Sequence, residues 1–464
     1  MEHLSFQPTK IGSASFFVDN PDIWESEWGI ARRFLPHARV RTFSNAIVLP
    51  LQLSGEQRVA HSLFQGGLCD KSGRFWAGRR RAFWDSSANL SCLESYPVPE
   101  SSIEHCDEDV VFGGIVYNHY GHLLTDTTAR LWYVVSHPED QRRIVFLKAP
   151  AKFDWAPADC LELFNLAGIR SERIVFVNRP TRFRSVLVPE EAVYSLDAVR
   201  PEWMSFFDAV RANVEPSSCE KVYLSRTHFQ RGDSFNEDLF ESYWASCGYR
   251  IVHPEECSLR EEIAFVSGAK ELVATIGTLS HNFVFAKPGA HAVVLLRSEL
   301  PVRLQLLIGA ARGLRSDYVQ ASRNILPTRH NDGVFYLFPT RRFLEYVNQS
   351  GMQPFGRQRI DLAFSQNRVA SYAAKWMEVF DQRISVPETL KRVLDLNVTE
   401  GVDSNPREIQ NLVAERVLSE LVRFHQSENQ EHLTPAHCSI SLKRRMWILA
   451  RYAKYMLLRK KHDL

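Results

Sequence analysis

Three short segments of this chain hold residues whose types and spacing could do chemistry. The first is Asn118-His119-Tyr120-Gly121-His122-Leu123-Leu124-Thr125-Asp126, directly after an apolar run. If a helix begins near Gly121, His122 and Asp126 stand i to i+4 and share one face. A carboxylate beside an imidazole can orient it and tune its proton affinity, which is what a general base needs. The same spacing also serves a plain structural hydrogen bond. The second segment is Tyr223-Leu224-Ser225-Arg226, followed by His228, Arg231 and Asn236-Glu237. An arginine at a strand's end offers the planar fork that suits a phosphate group. A surface ion pair is the alternative, and Asn236 could equally be only the cap of the next helix. The third segment is Thr275-Ile276-Gly277-Thr278-Leu279-Ser280-His281-Asn282, ending in Lys287-Pro288-Gly289. A glycine turn that opens a short helix after an apolar strand aims backbone N–H groups at an anion. A nucleoside diphosphate leaving group would be stabilised there without a metal.

The elements that must position these segments can be read from the apolar pattern. From about residue 110, apolar runs and helical spacing alternate: strand 110–116, helix 121–135, strand 144–147, helix 159–167, and strands 174–177 and 185–188. A helix over 202–214 leads to a second series: strand 221–224, helix 236–247, strand 250–252, helix 259–267 and strand 271–275. The glycine turn, strand 291–295, helix 302–311 and strand 317–319 complete it. Such alternation predicts an α/β fold with parallel sheets covered on both faces. Two domains of this kind facing each other would place a ligand cleft at the carboxyl ends of their strands.

Residues 1–100 read as short strands and turns. The Arg79-Arg80-Arg81 run between Phe75-Trp76 and Phe83-Trp84 fits a solvated hairpin, with an acceptor or anion contact as the functional alternative. The expected division is 1–205, 206–345 and a helical extension over 346–464. The last segment, Ser441 to Leu464, carries eight basic residues between Lys443 and Lys461, interleaved with apolar and aromatic ones. It is either a peripheral contact with an anionic membrane or a terminal helix docked on the body.

Bulk composition narrows the class. The 464 residues are 45% apolar and 24% charged, with a formal net charge of +2, which suits a globular enzyme and gives no support to nucleic-acid binding. The eight cysteines are scattered with no CxxC pair, so reduced thiols are expected rather than a disulfide framework or zinc site. No run of eighteen apolar residues and no signal-like start is present, which points to a cytoplasmic protein. GxGxxG and GxxxxGK[ST] are both absent. Asp107-Glu108-Asp109 fits the DxD pattern of metal-dependent sugar transfer, but it precedes an apolar strand instead of following one. It is read as a solvated acidic turn, and no metal ligand and no cofactor are expected.

Together the three segments resemble glycosyltransferase family 61, in particular its bacterial branch of capsular polysaccharide biosynthesis proteins. The family's N-x-x-H-x-x-x-D element is matched by His122 and Asp126, with Asn118 or Tyr120 nearby. Its strand ending in Ser-Arg is Tyr223-Leu224-Ser225-Arg226, with Asn236-Glu237 downstream, and Gly248-Tyr249-Arg250-Ile251-Val252-His253-Pro254-Glu255 resembles a further stretch. The family's H-G-A-G-L-T-N-x-x-F-x-x-P-G frame aligns without gaps, with Ile276 in place of the leading histidine and His281 as a plausible substitute.

The resemblance covers roughly residues 105–345. It implies a GT-B arrangement of two Rossmann-like domains and an inverting, metal-independent transfer from a nucleotide sugar to a polysaccharide or glycolipid. It further implies Asp126 as base and His122 as its partner or an acceptor ligand, the roles being exchangeable. Arg226 and Ser225 would hold the diphosphate with Gly277, Thr278, Ser280 and His281 near it. Asn282 would brace the loop, Glu237 would touch the ribose, and Asn118 and Tyr120 would lie on the acceptor side. The alternatives are a non-catalytic glycan-binding or assembly subunit and a transferase of another group, pyruvyl or phosphoryl.

Overall fold

The computed structural model describes residues 11–53, 64–77, 92–117, 119–148, 157–194, 198–229, 234–297, 301–322 and 334–363, with a few positions between 365 and 375. The arginine run at 79–81, Asn118, Arg231 and the 441–464 segment lie outside the described residues. The chain opens with β1 (Ser13–Phe17), α1 (Pro21–Ala31), β2 (Val40–Ser44), β3 (Ile47–Leu53), β4 (Phe64–Cys69), β5 (Phe75–Ala77) and β6 (Cys92–Glu94). There follow β7 (Glu104–Val116), α2 (Tyr120–Thr125), α3 (Trp132–Ser136), β8 (Arg143–Lys148), α4 (Pro157–Leu166), β9 (Ile174–Phe176) and β10 (Thr181–Pro189). The pair β11 (Val193–Tyr194) and β12 (Ala198–Val199) and helix α5 (Trp203–Ala212) end this half.

The first sheet is mixed. Its order is β5-β4-β3-β10-β7-β8-β9, with β2 also on β10 and β6 on β4. Strands β10, β7, β8 and β9 run parallel, while β2, β3, β4 and β5 pair antiparallel. The expectation of two all-parallel sheets therefore holds only for the core of this one. Residues 110–116 are all buried, as a strand covered on both faces requires. Asp107, Glu108 and Asp109 are part of β7, so the expected acidic turn is instead an extended segment. Glu108 is held by Arg143 at 2.7 Å and Asp109 by Arg184 at 2.8 Å, from the two neighbouring strands.

The helix expected over 121–135 is broken into α2, a 3-10 turn (Thr127–Arg130) and α3. Threonine hydroxyls compete with the helix ladder there. Thr127 Oγ1 donates to Ile115 O at 3.2 Å and Thr128 Oγ1 to Leu124 O at 2.7 Å.

The second half contains β13 (Lys221–Leu224), β14 (Ser234–Phe235), α6 (Glu237–Ser246), β15 (Arg250–Val252), α7 (Leu259–Gly268) and β16 (Glu271–Thr275). It continues with α8 (Thr278–His281), β17 (His291–Leu296), α9 (Arg303–Arg312), β18 (Arg315–Gln320), β19 (Phe335–Tyr336), α10 (Arg341–Gln349) and α11 (Arg357–Ala363). Every pairing in the second sheet is parallel. Its order, β15-β13-β16-β17-β18-β1, is 2-1-3-4-5 for the strands of this half, with β1 added at the edge. The strand order reverses between β13 and β16, and ligands of such sheets bind outside the carboxyl ends at that point. Local signals agree with the layout. Ser258 caps α7 in a box with Glu261, and Gly313 takes the left-handed C-cap of α9.

Two features of the start of the chain depart from expectation. Residues 21–31 form a helix whose buried side is only Trp24, Trp28 and Ala31, too sparse a stripe to stand out in the sequence. Strand β1 lies in the second sheet, beside β18, and not with the segment that follows it.

One continuous apolar core joins a face of each sheet. Val111, Ile144 and Phe146 from the first and Val222, Leu272, Ala274 and Val294 from the second meet around helices α1, α4, α5, α7 and α9. The outer face of the second sheet packs on α6, α10 and β19 through Tyr223, Val273, Val293, Phe240, Trp244 and Phe343. Cys69, Cys106, Cys160, Cys219, Cys247 and Cys257 are free thiols. Among the described residues no helix is long and apolar enough to cross a membrane.

Candidate functional site

Helix α2 leaves the carboxyl end of β7 and sets His122 over Asp126. Nδ1 of His122 is 2.9 Å from Oδ2 of Asp126, which also accepts the Thr125 hydroxyl at 2.8 Å. The Asp126 side chain is 0% exposed, whereas that of His122 is 19% exposed. An ionised carboxylate can only accept, so with Asp126 in that form Nδ1 carries the proton and Nε2 is the basic nitrogen. Of the two groups only the imidazole reaches the surface. Its ring lies 4.9 Å from that of His119 and 5.6 Å from that of Tyr117. Asp126 also lines a small cavity with Gly113, Gly114, Arg130 and Glu191. Arg130 is held there by Glu191 at 3.3 Å and by the carbonyl of Pro189.

The other two segments occupy the switch point of the second sheet. Ser225 and Arg226 follow β13, and Ile276 and Gly277 follow its neighbour β16. The Arg226 N–H donates to Glu237 Oε1 at 3.1 Å. Glu237 is 2% exposed, its Oε2 has no hydrogen-bond partner among the described residues, and burial pushes its carboxyl up to about 7 despite Arg297 and Arg226 nearby. Ser225 is turned inward, with its hydroxyl 2.7 Å from Glu241 Oε2. Asn236 occupies the N-cap position of α6 with φ 66°, but its side chain does not cap. It donates instead to Leu337 O at 2.9 Å and Ala363 O at 3.2 Å, fastening β19 and the end of α11 to this loop. His228 pairs with Glu256 at 2.6 Å and stacks on His253 with ring centroids 3.7 Å apart.

Arg297, at the carboxyl end of β17, was not singled out by any motif, although Leu296-Arg297 repeats the strand-end arginine of Leu224-Ser225-Arg226. It is buried and donates through Nε to Ile276 O at 2.9 Å and through Nη1 to Ser234 Oγ at 3.3 Å. Its guanidinium sits 4.4 Å from the centroid of Phe335. Gly277 has φ 128° and ψ −155°, which only glycine adopts readily, and a Cβ there would stand 2.5 Å from Arg297 Nη2.

The Gly277 turn is braced from within. Ser280 Oγ accepts the Gly277 N–H at 3.2 Å and lies 2.7 Å from Gln305 Oε1, so this hydroxyl supports the turn. Ile276 packs into the shared core. Where α2 passes α8, a Cβ on Gly121 would be 3.2 Å from both His281 Nδ1 and Thr278 Oγ1, and 3.4 Å from His119 Cε1. The first and third sequence segments therefore adjoin. Tyr120 and Asn282, expected on opposite sides of a cleft, are bonded to each other at 2.8 Å, and Asn282 donates to Glu262. Burial pushes the Glu262 carboxyl up to about 7. Glu262 carries no local signal in the sequence, since it reads as an ordinary glutamate in the first turn of a helix. Among the described residues, no group of three or more His, Cys, Asp or Glu is placed to hold a metal ion.

No curated protein matches this chain. Residues 120–294 match the family model described as Glycosyltransferase 61, a span that begins at α2, takes in the Arg226 loop and the Gly277 turn, and ends within β17. Over that span the chain is similar to glycosyltransferase family 61.

Proposed function

We propose that this protein is an inverting glycosyltransferase of GT-B arrangement. It moves a sugar from a nucleoside diphosphate to a hydroxyl of a polysaccharide or glycolipid, without a metal requirement. The observation that carries the reading is the His122–Asp126 pair, set on a helix that touches the donor-side turn through Gly121. A base beside an anion-holding turn suits a single displacement.

In this reading His122 is the base and Asp126 its orienting partner, the reverse of the order expected first. What favours the exchange is exposure, since Asp126 is sealed from any acceptor. The acceptor oxygen attacks the anomeric carbon as its proton passes to Nε2 of His122. The bond from that carbon to the diphosphate oxygen breaks, and the diphosphate leaves with the electron pair. Arg226, with the Gly277–Thr278 turn, takes up the charge that develops. Arg297 holds the turn in shape, and Glu237 sets the Arg226 loop through its N–H.

A thermal-shift screen against nucleoside diphosphates and nucleotide sugars, with manganese and with EDTA, tests the binding half. A ligand at 100 times its Kd stabilises by about 2.7 kcal/mol. The expected result is a shift with one nucleoside diphosphate that survives EDTA, followed by a product heavier by one glycosyl unit. No shift with any nucleotide, or a product carrying a pyruvyl or phosphoryl group, overturns the reading.

A further inference from the structure

Asn282 lies between two elements that the sequence keeps far apart. Its Oδ1 accepts the Tyr120 hydroxyl at 2.8 Å, across 162 positions, and its Nδ2 donates to Glu262 Oε1. Tyr120 also stands 3.3 Å from Glu262 Oε2. Asn282 is 1% exposed, and Glu262 is buried in α7. Tyr120 is the first residue of α2, two before His122, and Asn282 directly follows α8, whose first residue follows Gly277. The three side chains thus join the start of the helix bearing His122 to the end of the donor-side turn. Their polar atoms face one another.

We infer that Tyr120, Asn282 and Glu262 form a hydrogen-bonded tether that fixes His122 relative to the Gly277 turn, with Glu262 as a positioning residue for sugar transfer. The inference rests on the reading of His122 as the base. Attack on an anomeric carbon tolerates little error in the distance from base to acceptor, and a misplacement of about 1 Å costs about 10²-fold in rate. A hydrogen-bonded triad holds that distance better than apolar packing alone, because its bonds are directional. The close passage at Gly121, where a Cβ would stand 3.2 Å from His281 Nδ1 and Thr278 Oγ1, sets the same two elements together from the other side.

The test uses the full chain and three variants: Tyr120→Phe, Glu262→Leu and Glu262→Gln. The first two cut the tether. In the third, the amide oxygen can accept from Asn282 while its N–H donates to the Tyr120 oxygen. With folding checked by melting, Tyr120→Phe and Glu262→Leu are expected to lower kcat about 10- to 100-fold with donor KM within about twofold of the parent. Glu262→Gln is expected to restore most of the turnover that Glu262→Leu loses. Hydrogen exchange supplies an arm independent of activity, since amides over residues 120–125 are expected to exchange faster in the two cutting variants only. A folded Tyr120→Phe with parental kcat and parental exchange overturns the tether, as does a loss confined to donor KM, which would make these residues ligand contacts. A parental chain inactive with every nucleotide sugar is a different result and overturns the transferase reading. Unchanged exchange in a folded Glu262→Leu overturns the tether whether or not activity is found.

Discussion

Arg297 Nη2 lies under Gly277 so closely that a Cβ on the glycine would stand 2.5 Å from it. The backbone conformation demands glycine, and a Cβ would also have to move the end of the Arg297 side chain. Gly277→Ala is expected to cost about 1–3 kcal/mol from strain alone, with a further loss from displacing Arg297. Gly289→Ala is the control. Its φ is +82° but nothing stands within 4 Å of its Cβ, so only the left-handed strain of about 1 kcal/mol applies. Urea denaturation of both variants measures the difference, and equal losses would show that the Arg297 contact carries no weight.

Asp126 holds the imidazole of His122 by one carboxylate oxygen. Asp126→Asn keeps the size but can present an N–H to Nδ1, which forces the other tautomer and makes Nε2 a donor. Turnover is expected to fall by about 10²–10⁴-fold, the range of a general base lost, while nucleotide binding measured by thermal shift stays intact. Near-parental turnover in the variant would remove the pair from the mechanism.

Glu262 has no cation beside it among the causes that set its proton affinity, and burial is the largest of them. Its folded value, about 7, lies above the ordinary 4.5. The folded state therefore holds a proton that the unfolded state releases between those values. The contribution to stability is fully present below 4.5 and is lost as pH rises through about 7. A permanently neutral Glu262→Gln should equal the parent well below pH 4.5 and exceed it at pH 8, by up to about 3 kcal/mol. Parallel denaturation midpoints across that range would contradict the assignment.

The Asp107-Glu108-Asp109 run is committed to ion pairs. Hydrogen bonds from Arg184 and Ser185 hold the Asp109 carboxyl well below the usual carboxylate range. Asp107→Asn combined with Asp109→Asn is expected to leave transfer unchanged, in manganese and in EDTA alike. A loss of transfer that excess manganese restores would make this run a metal site.

Much of the architecture is legible in the sequence. Residues 221–224, 250–252 and 271–275 read as strands and are strands, because a parallel sheet buried on both faces demands short apolar runs bounded by turns. The i to i+4 relation of His122 and Asp126 was readable too, since one helical turn brings those positions together whatever surrounds them. Which of the two side chains is sealed was not readable, because that depends on what packs over Asp126.

What the sequence by itself determined was therefore local: the alternation of elements, the glycine demanded at 277, and the types of residue placed at the ends of strands. Only the tertiary structure decided that β1 pairs with β18, that Arg297 supports the Gly277 turn, and that Tyr120 and Asn282 are hydrogen-bonded to each other. The physical reason is range. A helical turn or a strand run is set by neighbours a few residues away. A hydrogen bond between residues 120 and 282 exists only after a shared core has brought two sheets together, and no local pattern encodes which buried groups will then face each other.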